Sequence, residues 1–347
     1  MYPALAVHGA LTSKVKDVDT LWVGGEGGME ESLVKRQGIR FQAIPAAGLH
    51  GVGLLTMPRN LTLLGRGVFA ARRILGEFEP DVLFFTGGYV AAPVAFAGRS
   101  IPSLLYVPDI EPGMALKSLA GFCDVIAATT DQSQKFFNKP VYQTGYPLRP
   151  DLALWDRQTA NQHLGISGNL PVLLVFGGSK GAHSINLAVL NILRELLRKF
   201  EIIHLSGEQD WPLVRHTREQ LPMDLAGRYH ALPYLHDMGA ALAAADLVVS
   251  RAGASCLGEF PLFGLPAILV PYPHAWRYQK VNADYLTRRG AAVILEDHRL
   301  NDDLLVTLNV LMENPNKLKA MRAAMFELSH PRAAEKIASA LVELAGE

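Results

Sequence analysis

Cysteine is almost absent from this chain: Cys123 and Cys256 are the two thiols in 347 residues. Two such residues build neither a disulfide framework nor a metal-ligand cluster, which suits a reducing cytosol. Charge of one sign is also lacking, since 33 Lys and Arg stand against 33 Asp and Glu. Without a basic excess no nucleic-acid partner is expected, and an anionic ligand has to be met by a few placed donors. Long hydrophobic runs are missing too. The most apolar stretch, 257–270, is interrupted by Glu259, Pro261, Gly264 and Pro266 and is too broken to span a bilayer. No basic segment leads into an apolar one at the start, so no signal peptide is expected. The eleven histidines show neither HxxxH nor HExxH spacing, and no metal or cofactor is expected. Solenoid-period repeats and low-complexity tracts are absent.

What is present is alternation. Apolar residues make up 49% of the chain and charged residues 19%, enough for two packed cores at roughly 150 residues per domain. Short β-branched runs at 20–23, 41–44, 82–85, 103–106, 125–127 and 141–143 form one strand series. A second occupies 172–176, 202–205, 229–232, 247–250, 267–270 and 292–295. Amphipathic helical patterns lie between them, for example at 182–199, 238–245 and 277–289. Strand and helix in continuous alternation predict an α/β chain with two doubly wound parallel-sheet domains. Tyr146-Pro147-Leu148-Arg149-Pro150 reads as the linker. The expected division is therefore 1–146, 147–330 and a terminal helix at 331–347 that packs back towards the first domain. Met1-Tyr2-Pro3-Ala4-Leu5-Ala6-Val7 reads as the opening turn of a helix. The first series thus reads as lacking a leading strand and its glycine loop.

In such sheets ligands sit beyond the carboxyl ends of the strands, so the loops leaving strands carry the chemistry. The strongest signal is Val175-Phe176-Gly177-Gly178-Ser179-Lys180-Gly181-Ala182, which leaves a buried strand and opens a helix. Gly178 and Gly181 permit a tight turn and close ligand approach, while Ser179 and the free helix N–H groups favour a phosphate. The Walker spacing is absent. A second turn, Ser250-Arg251-Ala252-Gly253-Ala254-Ser255, reads as another helix N-terminus, with Glu259 further on as an acceptor for ribose hydroxyls. Gln279 and Asn282 share a helix face after the 267–270 strand and suit sugar hydroxyls. In the first domain, Thr86-Gly87-Gly88-Tyr89 is a further glycine loop, and Asp109 and Glu111 follow a strand. Asp109 is the candidate general base. Asp17-Val18-Asp19 imitates a metal-binding DxD but precedes its strand and reads as a turn. Cys123 and Cys256 read as small core residues.

Taken in order and spacing, these loops resemble the MurG family of bacterial peptidoglycan glycosyltransferases. The segments that carry the likeness are Tyr2-Pro3-Ala4-Leu5-Ala6-Val7, Gly87-Gly88-Tyr89-Val90, Thr144-Gly145-Tyr146-Pro147-Leu148-Arg149, Gly177-Gly178-Ser179-Lys180-Gly181-Ala182, Ser250-Arg251-Ala252-Gly253-Ala254, and Gln279 with Asn282-Ala283. The resemblance implies a GT-B fold of two Rossmann-like domains with a cleft between them. The donor, a UDP-sugar such as UDP-N-acetylglucosamine, would sit on the second domain, and a polyprenyl-diphosphate-linked acceptor on the first. Transfer would be inverting and metal-independent. By position, Arg149 and Ser179 would meet the diphosphate, the backbone at Leu235 the uracil, Glu259 the ribose and Gln279 the sugar.

The chain departs from the family in its first domain. The family's Gly-Gly-Thr-Gly-Gly-His loop, with its proposed catalytic histidine, has no counterpart here. Tyr106-Val107-Pro108-Asp109 stands where the family has His-Glu-Gln-Asn, and Trp276 where an acid is common. Location on the cytoplasmic face of the cell membrane is implied, with 54–66, Arg72 and Arg73 as a mixed apolar and basic contact surface. Two other readings compete: a catalytically silent nucleotide-sugar binder or one subunit of a split transferase, and a UDP-sugar epimerase.

Overall fold

A computed structural model of the chain describes residues 1–28, 30–47, 57–178, 180–274 and 278–346. The chain divides into two compact units, Met1–Leu148 with Arg332–Glu347, and Arg149–Pro331. The strands form where β-branched and apolar runs predict them, with ends shifted by at most two residues.

Unit 2 carries β7 (Val172–Phe176), β8 (Glu201–Leu205), β9 (Tyr229–Leu232), β10 (Leu247–Ser250), β11 (Ala267–Leu269) and β12 (Ala292–Ile294). They form one parallel sheet in the order β12-β11-β10-β7-β8-β9. Counted within the unit, that is the doubly wound order 3-2-1-4-5-6 read from the far edge, with the strand order reversing between β7 and β10. β7, β8 and β10 are buried nearly throughout, as parallel strands covered on both faces must be. The pattern at 182–199 is not one helix. It breaks at Ile192 into His183–Asn191 and Leu193–Leu196, with neither Gly nor Pro to mark the break in the sequence.

In unit 1 the sequence predicts a single series, and the structure pairs it as two ladders. β1 (Leu21–Gly25) pairs with β2 (Arg40–Ile44), while β3 (Leu83–Phe85), β4 (Ser103–Val107), β5 (Val125–Ala128) and β6 (Val141–Gln143) make a second parallel sheet. Among the described residues no strand pairs with both β1 and β3. Apolar packing still joins the ladders, because Ile44 of β2 shares a core cluster with Leu83 and Phe85 of β3, and Leu21 and Val23 pack against it. Of the two last helices, Pro315–Glu327 packs in unit 2, where the Phe326 ring lies over Gly264. Ala333–Ala345 packs in unit 1, with Ile337 and Leu341 against Val7, Leu104 and Tyr106.

A buried polar chain fixes helix His183–Asn191 to the sheet. Tyr229 donates its hydroxyl to His204 Nδ1 at 2.7 Å, and His204 Nε2 donates to Asn186 Oδ1 at 2.9 Å. Asn186 Nδ2 in turn donates to the Asp210 carboxylate at 2.7 Å and to the Ser206 carbonyl at 2.8 Å. The sequence shows His204 and Asn186 as two polar residues in apolar surroundings. The fold makes them one satisfied network, which is what burial demands. Burial pushes the His204 imidazole down from 6.5 to about 4. The unfolded chain therefore takes up this proton before the folded one, and stability is lost as pH falls from about 6.5 towards 4. Against His204→Gln, wild-type protein should lose about 3 kcal/mol more between pH 7 and pH 4 in urea unfolding. Equal losses in the two proteins would show that His204 is not held neutral.

Candidate functional site

Because the strand order reverses between β7 and β10, the helices that follow these two strands leave on opposite faces, and a crevice opens at their carboxyl ends. The turn after β7 enters that crevice. Gly178 has φ +93° and Gly181 φ +79°, in the left-handed region where a side chain is strained. A Cβ on Gly181 would also stand 2.1 Å from the Ser206 carbonyl oxygen. The turn thus lies directly on the loop leaving β8, and Ser206 and Gly207 themselves donate to the carbonyls of Leu232, the last residue of β9, and of Pro233. Leu235, half-buried, follows on that same segment. Helix His183–Asn191 begins at Ala182 with no side-chain cap, so its first N–H groups stay open to a ligand. Ser179 lies outside the described residues.

The turn after β10 differs from the sequence expectation. Gly253, Ala254 and Ser255 do not start a regular helix. Ala254–Leu257 is a single 3-10 turn, followed at Gly258 by the short helix Glu259–Phe263. So few aligned peptides sum to a small dipole, and the helix after β7 is left as the main anion-facing terminus. What the second turn supplies is side chains. The Ser255 hydroxyl bonds the Glu259 carboxyl, and the Arg149 guanidinium acts on the same group. Although part of Glu259 reaches solvent, its carboxyl is desolvated, which raises it above the ordinary carboxylate range; Ser255 and Arg149 pull the other way.

Arg149 stands at the start of unit 2, with Asp151 3.5 Å away. Its placement depends on the segment behind it. Leu152 and Trp155 pack so closely on Gly239 that a Cβ there would meet the Trp155 ring at 2.6 Å. Gly239 belongs to helix Met238–Ala244, which begins just after Leu235. One helix thus anchors both the Arg149 segment and the end of the Leu235 segment. Nothing in the sequence pattern of Gly239 signals this.

Gln279 and Asn282 share helix Tyr278–Arg288 but do different things. Gln279 is half-buried and its Oε1 accepts the Tyr272 N–H at 2.8 Å. Asn282 is fully buried and donates to the Ala252 carbonyl at 3.1 Å, so it holds the turn after β10 instead of facing solvent. Trp276 lies outside the described residues. In unit 1, Asp109 sits on the loop after β4, half-buried, and its charge helps to raise the hydroxyl of buried Tyr106, whose shift comes mainly from burial. Glu111 is buried, with the Lys117 ammonium 3.9 Å away. Cys123 and Cys256 are buried and reduced; burial pushes the Cys123 thiol up to about 11. Among the described residues no group of three or more His, Cys, Asp or Glu is placed to hold a metal ion.

Comparison with known proteins adds the following. Residues 172–337 match the glycosyltransferase family 28 C-terminal domain, and residues 1–126 match the glycosyltransferase family 28 N-terminal domain. A UDP-N-acetylglucosamine--N-acetylmuramyl-(pentapeptide) pyrophosphoryl-undecaprenol N-acetylglucosamine transferase of Roseiflexus sp. is 39% identical over 99% of this chain and 92% of its own length. The crystal structure of Acinetobacter baumannii MurG superposes with a TM-score of 0.79 at 26% identity, covering 99% of this chain and 95% of that one. A UDP-N-acetylglucosamine 2-epimerase superposes with a TM-score of 0.67 over 99% of this chain and 94% of that one; at 14% identity the likeness is one of fold.

The carboxyl of Glu259 yields a test of the site's electrostatics. A folded-state carboxyl raised by burial holds its proton more firmly than the unfolded chain does, so stability falls as pH rises above 4.5. Glu259→Gln should therefore raise the thermal midpoint at pH 8 and leave it unchanged at pH 4. A lower midpoint at pH 8 would mean that Ser255 and Arg149 outweigh the desolvation.

Proposed function

The chain belongs to the MurG family within glycosyltransferase family 28, and we propose that it moves N-acetylglucosamine from UDP-N-acetylglucosamine to a lipid-linked acceptor in peptidoglycan synthesis. The observation that carries this reading is the unit 2 crevice, where a glycine turn opens a helix at the reversal of strand order and Arg149 and Glu259 share one electrostatic environment. The diphosphate lies over Gly178, Ser179 and Gly181, with Arg149 beside it. Uracil meets the backbone at Leu235, the ribose hydroxyls donate to Glu259, and Gly253, Ala254 and Ser255 flank the ribose. Gln279 contacts the sugar, and Asn282 acts behind it by holding the 252–253 turn.

In the reaction the acceptor hydroxyl attacks the anomeric carbon as the bond to the β-phosphate oxygen breaks, with inversion. The electron pair leaves with UDP. Arg149 and the helix N–H groups stabilise that developing charge because they are fixed before it appears. The acceptor's proton goes to a carboxylate of unit 1, and Asp109 is the residue proposed for it. On this reading unit 1 takes the polyprenyl-diphosphate acceptor and unit 2 the donor. An epimerase would share the fold, but the full-length relatives named as transferases, at 32–39% identity, favour transfer.

We also propose that unit 1 rests on the cytoplasmic membrane surface. No helix among the described residues is long and apolar enough to cross a membrane. Helix Met57–Phe78 instead exposes Leu61 (52%) and Phe69 (72%) beside Arg59, Arg66, Arg72 and Arg73. Apolar side chains within a basic rim suit the headgroup region of an anionic bilayer. The residues 54–56 of this expected surface lie outside the described ones.

With radiolabelled UDP-N-acetylglucosamine and a lipid-linked muramoylpentapeptide acceptor, the purified chain should form a labelled lipid product. Asp109→Asn should lower kcat by about 100-fold, the usual contribution of a general base, with KM for the donor little changed. Release of free sugar or an epimerised donor without acceptor would contradict the assignment. Vesicles of phosphatidylglycerol should sediment the protein and those of phosphatidylcholine should not, and replacing Arg66, Arg72 and Arg73 by Gln should abolish the difference. Sedimentation indifferent to lipid charge would exclude this surface.

A further inference from the structure

Arg251 follows β10 directly and has no part in the nucleotide contacts above, yet its side chain is only 10% exposed and donates to three neighbouring segments. Its Nη1 donates to the Asp297 carboxylate and, at 3.2 Å, to the Val270 carbonyl that ends the β11 segment. Its Nη2 donates to Ser184 Oγ at 2.8 Å, and that hydroxyl donates onward to Asp297 at 2.7 Å. The guanidinium also lies over the Tyr272 ring, 5.2 Å from its centroid. One planar fork therefore braces the segments that follow β7, β10, β11 and β12.

The contact with Tyr272 leads outward. The Tyr272 N–H is the donor that occupies Gln279 Oε1. That bond sets which arm of the carboxamide carries the oxygen, and the Nε2 hydrogens on the other arm are donors it can present to a ligand. A hydrogen-bond donor held in place suits a sugar hydroxyl oxygen or an acetamido carbonyl. We propose that Arg251 is a positioning residue that, through Tyr272, orients the Gln279 amide and so determines recognition of the sugar part of the donor. This rests on the reading of unit 2 as a nucleotide-sugar site. The helix after β7 is also held by His183 and Asn186 on Asp210 and Ser206, independently of Arg251, so the effect should fall mainly on the sugar. A lysine has the charge but not the fork, and cannot bridge these partners.

Removing Arg251 alone would leave the partly buried Asp297 carboxylate without its cation. The test therefore uses the double variant R251Q/D297N and, as a second variant of intact charge, R251K, with Q279A as the reference for a lost sugar contact. Calorimetry is run with UDP and with UDP-N-acetylglucosamine. All three variants should bind UDP-N-acetylglucosamine about tenfold more weakly, the scale of one placed hydrogen bond, and UDP within about twofold of wild type. Wild-type affinity for UDP-N-acetylglucosamine in R251Q/D297N and R251K overturns the proposal, as does an equal loss for the two ligands. Wild-type protein that binds neither ligand instead overturns the nucleotide-sugar reading itself, and the two failures are distinct.

Discussion

The reversal of strand order between β7 and β10 is the constraint from which the rest of unit 2 follows. Neighbouring parallel strands whose crossover helices leave on opposite faces cannot have their carboxyl ends covered by either helix. The turns there keep backbone N–H groups that no helix or strand satisfies. The glycines after β7 let one turn lie flat against the β8 loop, and the helix that starts there points its positive end into the gap. An anion is the natural complement of such an arrangement, which calls for a few placed donors and not for a net positive chain.

Around the crevice the protein spends buried polar side chains on holding loops still. The chain from Tyr229 through His204 and Asn186 to Asp210 fixes the helix after β7 to β8. Asn282 fastens the turn after β10, and Gly239 allows the segment carrying Arg149 to dock. These are long-range devices in sequence but local ones in space. They explain how short turns keep a defined geometry before any ligand arrives.

The fold was largely legible, for a physical reason. Buried parallel strands are apolar and β-branched, so runs such as 172–176 and 247–250 announce themselves, and the glycine turn after β7 stands between a strand and a helical pattern. Pairing was less legible. Periodicity places β1 and β3 but says nothing of which edges meet, and so the two ladders of unit 1 appeared only in the structure. Within the candidate site, the glycine turn after β7 could be read from its place between a strand and a helical pattern, whereas a role that depends on a distant partner could not. Asn282 looked like a ligand contact and is a loop tie; Gly239 and Asp297 gave no signal at all. Arg251 stood inside a recognisable motif, yet its place as the hub of four segments depends on Ser184, Val270, Tyr272 and Asp297 folding around it.

The central claim is that a UDP-sugar lies across the carboxyl ends of β7 and β10, and a crystal structure with UDP tests it most directly. Bound UDP should place its diphosphate over the turn at 177–182 with Arg149 beside it, the ribose hydroxyls on the Glu259 carboxyl, and the uracil against the backbone at Leu235. Nucleotide bound instead in unit 1, or in unit 2 with its diphosphate away from the glycine turn, would contradict it.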